Sequence, residues 1–160
     1  MKEILTAIAL GGNIGDSLTI LNSAVETIAK TAGIEVISRS TWHKTKAIGP
    51  VQPDYLNGCI VAKTRLSAED LLTCLQKIED QFGRERKEKW GARTLDLDII
   101  FYGENSIELP HLKIPHLYMR ERLFVLMPLT EIAPDWLDPV THLTTRELLV
   151  NLLDKVPLSN

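Results

Sequence analysis

Arg93-Thr94-Leu95-Asp96-Leu97-Asp98-Ile99-Ile100 carries the central signal of this chain. Leucine and isoleucine recur with period two and the run continues into Phe101 and Tyr102, the pattern of a buried strand. Two acids interrupt it. Alternate residues of a strand point to the same side, so Asp96 and Asp98 share one face, with Cα atoms about 6.5–7 Å apart at a rise of roughly 3.3 Å per residue. Leu95, Leu97, Ile99 and Phe101 take the other face and build core. Two carboxylates held together repel one another and lose hydration on burial, so something positive must offset them. Arg93 is one candidate. A divalent cation is the better one, because Asp-x-Asp on a strand presents hard oxygen ligands suited to Mg²⁺. The plainer alternative is a strand with one solvated face, on which the acids are merely polar.

Immediately upstream, residues 83–93 turn basic: Arg84, Arg86, Lys87, Lys89 and Arg93 surround Trp90-Gly91. On a helix such a run is a solvated face. In a loop that leads straight into paired acids it suits a polyphosphate, with metal and cations neutralising one anion from two sides. Trp90 either stacks on a base or anchors the loop.

Working back to the N-terminus, residues 4–10 form an apolar strand of central character. The glycine-rich loop Gly11-Gly12-Asn13-Ile14-Gly15-Asp16 fits neither the P-loop nor the dinucleotide spacing; it suits a tight turn and a close approach to a flat ligand. Asp16 or Ser17 caps a helix with Leu18, Leu21, Val25 and Ile28 on one stripe, ended by Gly33. Residues 34–44 predict a second strand. A proline-containing loop of functional length follows over residues 45–54, and a third strand runs from Tyr55 through Ala62. Ser67 opens a second helix with Leu71, Leu72, Leu75, Ile78 and Phe82 inward; Glu79, near its end, is a solvated helix acid or a wall of the acidic pocket. Downstream, residues 109–116 are extended, a helical pattern begins at Met119 and is interrupted at Pro128, and residues 145–156 form a last helix with Leu148, Leu149, Leu152 and Leu153 inward. The order β-α-β-β-α-β predicts a ferredoxin-like α+β fold: an antiparallel sheet with two helices on one face, a C-terminal helical extension, and a helix-free face left for ligands.

With 160 residues, one domain with a full core is expected. A formal charge of −3 argues against a general nucleic-acid binder, and the two cysteines, Cys59 and Cys74, suit reduced thiols in or near the core. Neither a signal-peptide pattern nor a membrane-length apolar run is present, so a cytoplasmic location is expected.

The stretch Arg84-x-Arg86-Lys87…Trp90-Gly91-x-Arg93-Thr94-Leu95-Asp96-Leu97-Asp98 resembles the signature of the 6-hydroxymethyl-7,8-dihydropterin pyrophosphokinases of folate biosynthesis. The segments Gly11–Asn13, Gly49-Pro50, Gln52-Pro53-Asp54-Tyr55-Leu56-Asn57, Ile114-Pro115-His116 and Arg122-x-Phe124 extend the resemblance over nearly the whole chain. It implies transfer of diphosphate from ATP to the hydroxymethyl oxygen of the pterin, with AMP released. By the same resemblance Asp96 and Asp98 would hold two Mg²⁺ ions. Arg84 and Arg93 would join these acids in catalysis. Gln76, Glu79, Arg84, Trp90, Arg93, Ile99, His116 and Arg122 would bind ATP. Gly11, Thr45, Ile48, Tyr55, Asn57, Asp96 and Phe124 would form the pterin site, with the ring stacked between Tyr55 and Phe124. The partners implied are these two small molecules, with no nucleic acid, membrane or obligate protein partner. Two other readings of the residues themselves stand beside this one: a palm-type two-metal nucleotidyl transferase, which releases pyrophosphate, and a non-catalytic ferredoxin-like binding module.

Overall fold

The computed structural model describes residues 2–45, 54–83 and 94–155. The core follows from alternating apolar runs and two amphipathic stripes. Strand β1 (Ile4–Gly12) leads through Asp16, whose carboxylate accepts the Thr19 N–H at 3.2 Å, into helix α1 (Ser17–Ala29). Strands β2 (Ile34–Arg39), β3 (His43–Thr45) and β4 (Tyr55–Thr64) follow. Ser67 caps helix α2 (Ala68–Gln81) through the Asp70 N–H, and strand β5 (Asp96–Tyr102) completes the core. All pairings are antiparallel in the order β2-β4-β1-β5, with β3 extending the sheet alongside β4. This is the ferredoxin-like arrangement, with β1 and β4 central.

Beneath the sheet, Leu21, Ala24, Val25 and Ile28 of α1 and Leu71, Leu75 and Ile78 of α2 pack on Ile8, Leu10, Ile60, Leu95, Leu97 and Ile99. The opposite face is not open along its length. A short hairpin, β6 (Ile107–Leu109) and β7 (Leu112–Ile114), leads through a 3-10 turn at Met119–Glu121 to helices α3 (Leu123–Ile132) and α4 (Thr145–Lys155). Met119, Val125, Leu126, Leu129 and Leu148 bury themselves on Ala7, Ala9, Cys59, Val61 and Phe101. The expected ligand face is therefore covered by the C-terminal extension, except at one end.

Four further expectations change. Phe101 lies on the α3 side, whereas Leu95, Leu97 and Ile99 lie on the α1/α2 side. The register explains it: Ala7 faces Phe101 and Ile8 faces Ile99, so Ile100 is an extra residue and the alternation inverts. Beside this bulge the buried Thr6 hydroxyl donates to the Phe101 carbonyl at 2.6 Å. The strand expected over residues 34–44 is divided at Ser40-Thr41-Trp42. There the Ser40 hydroxyl accepts the Cys59 N–H at 2.9 Å, and the Trp42 ring lies over Gly58. Pro128 does not interrupt α3. A proline inside a helix costs about 3 kcal/mol, and burial of Val125, Leu126, Pro128 and Leu129 outweighs it. Finally, Leu18 and Leu153 are 51% and 49% exposed, not inward. Among the described residues no helix is long and apolar enough to cross a membrane.

Candidate active site

The open end of the α3 face is built on three strands in register. Asn57 of β4 pairs with Gly11 of β1, and Gly11 pairs with Asp96 of β5. The next row that points to the same side is Cys59, Ala9 and Asp98. Along the middle strand this face therefore carries Gly11, Ala9 and Ala7, with nothing larger than a methyl group. The floor is low and flat, and polar side chains stand on both sides of it.

On one side stands the Asn57 amide. Its Nδ2 donates to the Thr45 hydroxyl at 3.1 Å, and a Cβ on Gly11 would come within 2.6 Å of its Oδ1. The close approach expected of the glycine loop thus occurs inside β1, and what approaches is the Asn57 side chain. Tyr55 opens β4 two residues before Asn57, and Phe124 lies in the first turn of α3, which packs on β3 and β4. Both rings expected to hold the flat ligand belong to this end of the sheet. Ile48 lies outside the described residues, as do Arg84, Trp90 and Arg93.

On the other side, Asp96 and Asp98 border a cleft of about 520 Å³ lined also by Ile99, His116, Tyr118 and Arg122. Ile99 contributes only a rim, since its side chain belongs to the core. His116 Nε2 lies 3.8 Å from Asp98 Oδ1, and its Nδ1 accepts the Tyr118 main-chain N–H at 3.3 Å. Nδ1 being an acceptor, the neutral ring carries its proton on Nε2, toward Asp98. Burial holds the imidazole below its ordinary pKa; Arg122 acts in the same direction, and Asp98 opposes both without prevailing. Arg122 places its guanidinium 5.3 Å from the Tyr118 ring centre and 5.4 Å from that of Phe124. The cation is held between two aromatic faces at the boundary of the two sides.

Of the other residues expected to meet ATP, Gln76 is exposed on α2 and is not part of the cleft lining. Glu79 is 5% exposed and accepts the Leu97 N–H at 2.8 Å, supporting from beneath the peptide between the two acids. Sequence reasoning missed Tyr118; an aromatic one helical turn before Arg122 was the available signal. It also did not connect Arg120 with Asp138. The Asp138 carboxylate, fully buried, accepts Arg120 Nε at 2.5 Å and Nη2 at 2.9 Å. This pair ties the segment carrying His116 and Arg122 to the chain between α3 and α4.

Fold and site together define a class: a ferredoxin-like α+β protein whose covered sheet stays open at one end, where a flat polar recess adjoins a carboxylate-bearing cleft. The family profile described as 7,8-dihydro-6-hydroxymethylpterin-pyrophosphokinase matches residues 7–134. A 2-amino-4-hydroxy-6-hydroxymethyldihydropteridine pyrophosphokinase from Synechocystis sp. is 52% identical over 142 residues, covering 89% of this chain and 73% of that protein. One of the same name from Haemophilus influenzae is 41% identical over 152 residues, 94% of each. This chain belongs to the 7,8-dihydro-6-hydroxymethylpterin-pyrophosphokinase family. Among solved structures, Plasmodium falciparum HPPK-DHPS superposes with a TM-score of 0.78 at 16% identity, over 96% of this chain and 44% of that one. The chain thus spans under half of that longer protein, and the likeness concerns the fold.

Proposed function

We propose that the protein transfers the β,γ-diphosphate of ATP to the hydroxymethyl oxygen of 6-hydroxymethyl-7,8-dihydropterin, giving the pterin diphosphate and AMP. The observation that carries this reading is the row Asn57–Gly11–Asp96. Two strand spacings, about 10 Å, separate its ends. A bicyclic ring laid on the Gly11 floor with its amide-like edge at Asn57 directs a one-carbon arm to the carboxylates. Tyr55 and Phe124 supply aromatic faces for that ring.

Asp96 and Asp98 fit a magnesium site by their donor chemistry. They are two carboxylates on one face of a strand, and among the described residues no cluster of three or more ligating side chains forms. Such a pair suits Mg²⁺, which keeps waters and takes its other oxygens from substrate phosphates. Asp96 and Asp98 would hold two such ions, which would offset the charge of the triphosphate. The chain's own residues do the rest. Arg122 adds positive charge at the boundary of the two sites. His116 presents Nε2–H to an anionic oxygen and so acts as a donor, not as a base. Leu97 is fixed by Glu79, which holds both acids in place. The basic segment with Arg84, Trp90 and Arg93 supplies positive charge for the phosphates and an aromatic ring for the nucleotide. In the step itself the alcohol oxygen bonds to the β-phosphorus as the bond from that phosphorus to the α,β-bridging oxygen breaks. The alcohol proton passes to solvent, and AMP carries away the bridging oxygen. Catalysis on this reading is positioning and electrostatics.

The test is product analysis with ATP, Mg²⁺ and the pterin. Pterin-dependent AMP is expected; pyrophosphate as the released product refutes the reading. Asp96→Ala and Asp98→Ala are each expected to abolish turnover with the circular dichroism spectrum unchanged, and wild-type turnover in either removes the metal assignment.

A further inference from the structure

Helix α3 begins beside the flat recess with Phe124 and, two turns later, presents Glu131 to the far edge of the sheet. There Glu131 Oε1 accepts the Thr41 main-chain N–H at 2.9 Å. The Thr41 hydroxyl lies 3.0 and 2.9 Å from the two carboxylate oxygens, and His43 Nε2 bonds to Oε2. Burial pushes this carboxyl up, but the Thr41 N–H, His43 and the Thr41 hydroxyl more than offset it, so its pKa stays below the ordinary value. These contacts seize the beginning of β3.

Strand β3 has only three residues and pairs with β4 at the sheet edge. A ladder this short holds little by itself. Yet its last residue, Thr45, receives the Asn57 Nδ2 hydrogen bond. A continuous path therefore runs from Glu131 through Thr41 and His43, along β3 to Thr45, and on to the amide that stands over Gly11. Among the described residues, none of the acid's hydrogen-bond partners belongs to the recess itself.

We propose that Glu131 is a positioning residue for pterin recognition: by clamping β3 to α3 it fixes Thr45, and through Thr45 the orientation of the Asn57 amide. The inference rests on the pyrophosphokinase reading above and deepens it. One helix then sets both walls of the recess, Phe124 directly and Asn57 through β3. The expected loss is specific to one substrate, because the nucleotide cleft touches neither β3 nor Glu131.

The experiment is a double-mutant cycle on the full chain between Glu131→Ala and Asn57→Ala, with Glu131→Gln as the conservative variant. Pterin affinity is measured with a non-hydrolysable ATP analogue present, and affinity for that analogue is measured separately. Glu131→Ala is expected to weaken pterin binding about tenfold, roughly 1.4 kcal/mol, while nucleotide affinity stays within twofold. Glu131→Gln, which keeps an acceptor for Thr41, recovers part of the loss. In the Asn57→Ala background Glu131→Ala has no further effect, since the group it positions is gone. Additive losses, or equal losses for both substrates, overturn the inference. If Glu131→Ala fails to fold, Glu131→Gln serves in the same cycle with the same criteria. A ligand-free readout separates this inference from the function on which it rests: in ¹⁵N spectra the Asn57 side-chain NH₂ pair moves in Glu131→Ala. An unmoved pair overturns the positioning role whatever the activity, whereas a moved pair in a protein whose wild type makes no pterin-dependent AMP overturns the pterin assignment.

Discussion

Replacing Gly11 by alanine adds one methyl group to the floor of the recess, and the structure says where it goes. The new Cβ meets Asn57 Oδ1 at 2.6 Å, its Cγ at 3.6 Å and the Leu56 carbonyl at 3.5 Å. Backbone contacts are thus ordinary, and only the amide oxygen is in the way. It must recede about 0.8 Å to reach the 3.4 Å of normal contact. Asn57 has little freedom to do so, being 7% exposed and bonded to Thr45 at 3.1 Å. Turning the amide away breaks that bond, a loss of about 0.5–1.5 kcal/mol, while removing a glycine from a strand returns about 0.5–1 kcal/mol. The two nearly cancel. Stability changes by less than about 1 kcal/mol, so the melting temperature moves by no more than about 4 °C. Pterin recognition has no such compensation. The amide's hydrogen bonds to the ring edge are misaligned and the floor is raised beneath the ring, so affinity falls at least about tenfold. Calorimetric titration with the pterin, beside thermal unfolding by circular dichroism, reads both quantities. Wild-type pterin affinity in Gly11→Ala refutes the assignment of the recess. A fall in melting temperature beyond about 10 °C refutes the claim that the clash is confined to a side chain.

Gly58→Ala is the contrasting case. Its Cβ would lie 2.5 and 2.6 Å from two atoms of the Trp42 ring, which Asn22 holds through Nε1 at 3.0 Å, so a loss of about 1–3 kcal/mol is expected in urea unfolding; an unchanged midpoint contradicts it. Asp138 governs acid stability: burial pushes its carboxyl up, but Arg120, the Val140 N–H and the Thr141 hydroxyl more than offset this and hold it below its ordinary value. The folded state therefore favours the ionised form, and the stabilisation is present above the ordinary carboxylate range and lost as pH falls through the lowered value. Wild type is expected to exceed Asp138→Asn in unfolding free energy at pH 7 and to lose that advantage progressively as acid protonates the carboxylate; a gap independent of pH counts against the pairing.

The sequence made some of this legible and hid the rest for identifiable reasons. The stripes of α1 and α2 and the alternation of β5 up to Ile99 gave the ferredoxin-like core, and Asp96 and Asp98 do share a face beside the cleft. Phe101 was assigned to the wrong side because residues 99–102 are all apolar, so nothing in the pattern marks the bulge at Ile100. The division of the strand at residues 40–42 involves no glycine or proline; a tryptophan seeks the space above Gly58 on the adjoining strand β4. Glu79 did carry a signal. It lies four residues after Leu75 and three before Phe82, within the apolar stripe of α2, where an acid must be buried and bonded. The covered face was signalled too, since Leu123-Phe124-Val125-Leu126-Met127 is apolar all round, and a helix of that kind needs burial on more than one side.

That extension is what converts a common core into a site. The sheet alone would offer the row Asn57–Gly11–Asp96 on a broad open face, accessible to water from every side. Placing Met119, Val125 and Leu129 on Ala7, Ala9 and Val61 closes the rows farther down. The small side chains of β1 let α3 lie close there, and the same smallness at Gly11, where α3 has not yet begun, leaves a recess instead of a contact. The Arg120–Asp138 pair and the Glu131 clamp then hold the covering layer at two separate places, one beside the His116 segment and one beside β3. The recess and the cleft are thus fixed by different attachments of one layer. It follows that substitutions at Glu131 and at Asp138 act on different substrates, although both acids anchor the same C-terminal extension.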